Sequence, residues 1–329
     1  MKKNKLLNFI LIPEVTSIIP IILVVLVAVI LNPAFLRPAN LQTLGTSLIA
    51  SWGILSVGQA FVIMVGELDI AVGATFTFAA MFFCYLVRAG LSLGISILLT
   101  FVLCLIIQMI SAGIVLKTGV SSFITTMAMS FICKGMANVV NYGADLTLAT
   151  VANTNPQVKR FLTVLSDKWL GLSVGAWVFV ALIIISQIVM KKTEFGRKIY
   201  AVGDNKVVAK VAGLRVNRIK VLCFCIMAVT IALAAILWVG YYSGCTATQG
   251  IPWGFITVAA VAMGGVSLSG GTGSMIGVFC GVILMALIYN LITLLGVDTN
   301  YQNIFIGCFL ALSVILDVVR RDYTIGKNI

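Results

Sequence analysis

Residues Thr193–Lys220 read TEFGRKIYAVGDNKVVAKVAGLRVNRIK, a polar, basic stretch in a chain that is otherwise almost continuously apolar. With Lys191 and Lys192 just before it, the stretch carries Arg197, Lys198, Lys206, Lys210, Arg215, Arg218 and Lys220 against only Glu194 and Asp204. Such a block between two apolar runs lies in water, and its charge puts it on the cytoplasmic side of a membrane. Its middle predicts a short amphipathic helix. Asp204 or Asn205 can cap the N-terminus, and Gly213 stands where a left-handed C-terminal cap belongs. Val207, Val208, Val211 and Ala212 then share one apolar face, with Lys206 and Lys210 opposite. A face of this kind either docks on a partner protein or lies among lipid headgroups, as basic amphipathic helices do.

The rest of the chain fixes the class. Of 329 residues, 61% are hydrophobic and only 10% charged, against about 25% charged in soluble domains. This is the composition of an all-α polytopic membrane protein, one transmembrane domain over residues 1–329 with room for about ten spans. The apolar runs fall near 17–33, 42–65, 69–89, 92–116, 121–142, 172–191, 219–242, 254–266, 273–296 and 301–319; the eighth is short for a bilayer of about 30 Å. Lys2, Lys3 and Lys5 place the N-terminus inside, and the count then puts the 191–218 loop and Arg320, Arg321 and Lys327 inside as well. Both termini are therefore expected in the cytoplasm. The apolar run after the first lysines lacks a small-residue cleavage pattern and reads as a first span rather than a signal peptide. The net charge of +12 clusters at span ends and in one loop, as topology signals and contacts to anionic lipid or protein do, and is not a nucleic-acid footprint. The sequence has no His, which excludes imidazole chemistry; its eight Cys are scattered through apolar runs and read as small buried hydrophobes.

Outside, Gly143 to Gly171 holds Asp145, Lys159, Arg160, Asp167 and Lys168, enough for a rim that a partner can touch. Val62, Met64 and Gly66 are echoed by Val261, Met263 and Gly265, with Gly73 and Gly273 following one residue out of step. The echo raises a parallel internal repeat, spans one to four against seven to ten.

Polar groups inside a bilayer need a reason. Glu67 and Asp69 lie in the turn after the second span; Asp69 is placed to accept N–H bonds at the start of the third, and Glu67 to face a cavity. On the fifth span Thr126, Ser130, Lys134, Asn138 and Asn141 follow steps of four and three, so they share a face that looks either at other helices or at a water-filled path. Hydroxyls and amides suit a neutral polyol. Trp52, Ser56 and Gln59 share a face of the second span, an aromatic platform beside two polar groups, which ordinary packing would also produce. Gly264, Gly265, Gly270, Gly271 and Gly273 surround Ser267 and Ser269 without the Gly-x-x-x-x-Gly-Lys-Ser/Thr spacing of a phosphate loop, so the segment reads as a tight turn allowing close helix approach.

Three motifs together carry a resemblance. They are Thr193-x-Phe195-Gly196-Arg197 with Ala201-Val202-Gly203-Asp204-Asn205 and Ala212-Gly213-Leu214; then Gly66-Glu67-Leu68-Asp69-Ile70-Ala71-Val72-Gly73; then Ala259 to Gly265 followed by Gly270-Gly271-Thr272-Gly273 and Gly277. The chain resembles, over nearly its whole length, the permease subunit of bacterial ABC importers for ribose, arabinose, xylose, galactose and related monosaccharides. It departs in Glu67, where the family typically has Gly, and in Ala71, where it has Ser. The resemblance implies a multi-pass protein of the cytoplasmic membrane that is not itself an enzyme and needs no cofactor, ATP being bound by a partner ATPase subunit. It also implies an extracytoplasmic sugar-binding protein and a second permease chain. Arg197, Gly203, Asp204, Asn205, Val207, Val208, Val211 and Gly213 would then contact the ATPase, and Trp52, Ser56, Gln59, Ser130, Lys134, Asn138 and Asn141 would line the route. Gly66, Glu67, Asp69, Gly73, Gly265, Gly271 and Gly273 would form structural turns. A permease of the same superfamily importing a nucleoside or a sugar-derived signal is the alternative. A proton-coupled secondary transporter would show acidic residues at mid-membrane, whereas Glu67, Asp69 and Asp317 are expected at span ends.

Overall fold

The computed structural model describes residues 13–297 and, beyond them, positions 301, 304, 307, 308, 311 and 315; side chains are described from residue 19, those of 46 and 47 excepted. The basic clusters at both termini, Asp317 and most of the expected last span therefore lie outside the described residues. The other expected spans all fall in helices. In chain order these are α1 (Pro13–Leu31), the short α2 (Pro38–Thr43), α3 (Ile49–Met64), α4 (Val72–Arg88), α5 (Leu93–Thr118) and α6 (Ser122–Val140). A stretch between spans holds α7 (Ala149–Ala152) and α8 (Pro156–Ser166), before α9 (Val174–Lys192). Then follow α10 (Glu194–Asp204), α11 (Lys206–Val211), α12 (Val216–Tyr242), α13 (Trp253–Met263) and α14 (Met275–Leu294). Five of them, α5, α6, α9, α12 and α14, are long and apolar enough to cross a membrane.

The centre is α3, buried along almost its whole length and packed by α9, α12, α13 and α14. Buried on every side, it is a core helix that carries only Ser51, Ser56 and Gln59 as polar side chains. Gly53 admits the Phe179 ring of α9, and Gly58 admits Thr230 and Met227 of α12. By contrast α5, α6 and α9 expose Leu98, Ile106, Ile124, Phe131, Ile132, Ile184 and Ile185. So much contiguous apolar surface is what a bilayer covers.

Two segments interrupt the helices inside the bundle. α3 ends in a Gly66 cap at φ +83°, and the chain then runs irregularly to α4. Irregular backbone at membrane depth must be bonded within the protein, and here it is: Leu68 N–H donates to Ser122 Oγ (3.0 Å) and Ile70 N–H to Thr126 Oγ1 (3.0 Å), both on α6. The third span thus starts at Val72 rather than at residue 69. The second interruption follows α12. β4 (Gly244–Cys245) pairs antiparallel with β1 (Leu146–Thr147), and the chain then passes along α4, Gly250 N–H donating to Thr77 Oγ1 (2.9 Å). A Cβ on Gly73 would overlap the Gly250 carbonyl oxygen, and one on Gly254 that of Ile70. α13, 11 residues long, therefore starts inside the bundle and reaches only about 16 Å at 1.5 Å per residue, which explains why the eighth span read short. Its close packing on α14 uses small residues: a Cβ on Gly264 would strike Gly277, and one on Gly281 would strike Ala260.

The Val62/Val261 echo is a shared helix ending. In both, the glycine N–H bonds to the residue three back and the next N–H to the residue five back (Gly66 to Ile63, Glu67 to Val62; Gly265 to Ala262, Val266 to Val261). The same cap closes α4, α11 and α14, and Gly73 is helical where Gly273 has φ +152°. The match is helix-stop chemistry and does not by itself make a repeat. Between α6 and α9, Asn155 caps α8 by accepting from Gln157 and Val158, and β2 (Lys168–Trp169) pairs with β3 (Leu172–Ser173). Six of the cysteines are buried, but Cys225 is half-buried and Cys308 exposed.

Candidate functional site

The basic stretch forms two helices where one was expected. Thr193 caps α10, its hydroxyl accepting from Gly196 N–H (3.3 Å), so the Thr-x-Phe-Gly-Arg motif is a helix start. Ile199 and Val202 bury the apolar face of α10. Asp204 remains helical as its last residue and is not the cap of the next helix. That place belongs to Asn205, in extended conformation, whose side chain accepts from Val207 and Val208 N–H (3.0 and 3.1 Å). Gly213 closes α11 at φ +83°, as expected. Between the caps only Ala209 is buried. Val207, Val208 and Val211 are 64%, 62% and 84% exposed, an aliphatic face that nothing among the described residues covers. Arg197 is exposed on α10.

Gly203 points the other way. A Cβ there would overlap the Met64 carbonyl oxygen at the end of α3 and crowd Gly271. The Met64 carbonyl accepts Gly271 N–H (3.0 Å), Gly66 and Gly270 lie against each other, and Tyr200 Oη donates to Gly273 O (2.8 Å). The α10–α11 loop, the Gly66 turn and the Gly271 turn therefore meet at one end of the bundle, with Gly203 as an internal packing point rather than an outward contact. Glu67, placed in sequence beside a cavity, instead forms an ion pair with Lys220 at the base of α12; both side chains are only 10% exposed. This missed partner could have been suspected, because Glu67 departs from a glycine and the loop's last basic residue falls inside the start of an apolar helix.

Asp69 is fully buried. Oδ1 accepts Ala71 N–H (2.8 Å) and Oδ2 accepts Gln108 Nε2 (2.7 Å) from well inside α5. It caps the residue before α4, as expected for the start of the third span, and is held inside the packing by α5.

The α6 stripe separates. Four residues turn a helix by about 400°, so each step drifts about 40°. Thr126 is buried against the Leu68–Ile70 segment, Ser130 and Asn138 are half-buried and Lys134 is exposed. Asn141 lies beyond the helix, its amide donating to Ala144 O and Asp145 O (3.1 Å each), and so belongs to the turn. Among the described residues no carboxylate pairs with Lys134. Trp52, Ser56 and Gln59 do share a face, but it is fully buried. Trp52 packs edge-on against Trp253 and Tyr289, with centroids at 6.2 and 5.2 Å. The indole N–H, the Ser56 hydroxyl and both ends of the Gln59 amide have no hydrogen-bond partner among the described residues.

An apolar helical bundle with irregular segments buried inside it, and a basic helical loop presenting a bare aliphatic face at one end, defines a multi-pass integral membrane protein of the permease class. The chain belongs to the family described as branched-chain amino acid transport system, permease component, which it matches over residues 43–314. It is 30% identical over 296 residues to the ribose import permease RbsC of Bacillus subtilis, covering 90% of this chain and 89% of that one. It is 28% identical over 322 residues to RbsC of Haemophilus influenzae (96% and 98%). To the L-arabinose ABC transporter permease AraH of Azospirillum brasilense it is 28% identical over 290 residues (88% and 83%). No solved structure matches. The resemblance to permeases of monosaccharide ABC importers is borne out.

Proposed function

We propose that this chain is the permease subunit of a binding-protein-dependent ABC importer in the cytoplasmic membrane, passing a ribose-like pentose or a hexose inward. The observation that supports this best is the α11 face. Three exposed valines on a helix capped at both ends, on a loop whose other side grips two transmembrane turns, suit a surface pushed by a partner ATPase. ATP is bound and hydrolysed on that partner, and the permease does no covalent chemistry and holds no cofactor. An extracytoplasmic sugar-binding protein delivers the solute to the rim built from α8 and the β2–β3 hairpin.

A second permease chain, the same or a sister subunit, completes the route. Lys134 supports this: an ammonium facing lipid past the middle of a spanning helix costs about 2.5–3.5 kcal/mol at the helix centre on insertion scales, so the Ser130–Lys134–Asn138 surface faces a water-filled path between two permeases. Trp52, Ser56 and Gln59 line it only when α13 and α14 part from α3, since their unpaired polar atoms are sealed in the present packing. The test is uptake of radiolabelled sugars by the complex reconstituted in vesicles with its binding protein. ATP-dependent uptake of a pentose or hexose is expected. Uptake of a nucleoside instead would name the alternative solute, and uptake that survives loss of ATP but fails with a protonophore would overturn the importer reading.

A further inference from the structure

Glu67 and Lys220 join parts that the importer reading needs to move together. Glu67 is the first residue past the Gly66 cap of α3, with its N–H bonded to Val62 O, and leads directly into the irregular segment that Ser122, Thr126 and Gln108 hold. Lys220 lies near the start of α12, just beyond the Gly213–Leu214 turn that closes α11. On the opposite leg of the same loop, Gly203 of α10 packs on the Met64 carbonyl. The interruption between α3 and α4 is thus gripped from both legs of the loop: by close backbone packing on the incoming leg, and by one charge pair on the outgoing leg. The pair is nearly dry, with both side chains 10% exposed, and no second carboxylate pairs with Lys220 among the described residues. Removing one partner of a pair in such surroundings leaves a charge without compensation.

We propose that Glu67 is a positioning residue: through Lys220 it latches the α3–α4 interruption to the base of α12, so that displacement of the α10–α11 loop is delivered to the bundle interior rather than absorbed at the joint. This rests on the importer reading for its consequence, but the latch itself can be measured without transport. In a Cys-free background, spin labels at Lys210→Cys on α11 and Tyr142→Cys, both exposed, report the spread of distances between the loop and the far end of α6 in purified permease. Glu67→Gln is expected to broaden that distribution, and the exchange Glu67→Lys with Lys220→Glu to narrow it again. In the reconstituted complex, Glu67→Gln should lower sugar imported per ATP hydrolysed with ATPase co-purification unchanged, and the exchange should recover it.

An unchanged distance distribution in Glu67→Gln would overturn the latch. So would a broadened one that the exchange leaves broad although the protein stays folded, or loss of folding in both variants, which would make the pair structural only. If the unmutated complex imports no sugar, the importer reading fails while the label distances still decide the latch.

Discussion

Asn205 shows how a single side chain decides where one helix stops and another begins. Extended at φ −152°, it accepts two N–H groups of α11. Asn205→Ala is expected to cost about 1 kcal/mol locally and to weaken ATPase association, measured by co-purification; Asp204→Ala, one residue earlier and not a cap, should change it less. The sequence offered both residues as caps, since both types serve, and only the backbone turn selects between them. Gln59 is the opposite case. Its face on α3 was legible from spacing, but not its burial with both amide ends unpaired. An unpaired buried amide costs about 1–3 kcal/mol, so Gln59→Leu should raise the unfolding temperature of the purified permease while reducing sugar uptake. A rise in temperature with uptake unchanged would place the amide outside the route.

At the scale of elements, α11 was foreseen in extent, in its bare valine face and in its Gly213 cap. Its partner α10 was not, because glycines at 196 and 203 obscure the helical pattern; their reason is close backbone packing that a sequence does not display. Val208→Glu should leave the permease folded, abolish ATPase co-purification and uncouple hydrolysis from uptake, since each aliphatic side chain buried at a docked face is worth roughly 1.5–3 kcal/mol. Normal co-purification would mean that α11 lies on lipid. The α6 stripe was half legible: spacing grouped its residues, and the drift of an α-helix separates Thr126 from Lys134. Asn138 already donates to Lys134 O (2.8 Å), so Asn138→Leu removes little within the chain. A large fall in uptake with normal assembly is therefore the expected outcome if this face borders the solute.

Over the whole molecule, the number and order of apolar runs gave a multi-pass bundle, and the loop, the Gly66 turn and the Gly271 turn do gather at one end. The expected sidedness makes that end cytoplasmic. A single Cys at Lys206 in a Cys-free background should be labelled by a membrane-impermeant maleimide only after cells are opened, whereas one at Trp169 should be labelled in intact cells. What hydropathy could not show were the two interruptions, because a run of apolar residues reads the same whether it is helical or held extended by hydroxyls from α6. The Gln108 partner of Asp69 was missed for that reason: the chain's order does not show which helix lies alongside an irregular segment.

The meeting of those interruptions has an electrical consequence. α4 and α13 begin side by side, with Gly73 and Ile70 against Gly250 and Gly254, and run off in opposite directions. Each helix start carries about half a positive charge from its aligned peptide dipoles, so the two together present roughly one. Asp69, whose described partners are both neutral N–H donors, supplies the balancing negative charge in the same place. A centre compensated in this way has little net charge to draw an ion into irregular backbone, so the permease is expected to be electrically tight. Vesicles containing it should hold an imposed potential as well as empty ones. With Asp69→Asn, which leaves about one positive charge behind, they should lose it faster in the presence of a small permeant-sized anion such as chloride.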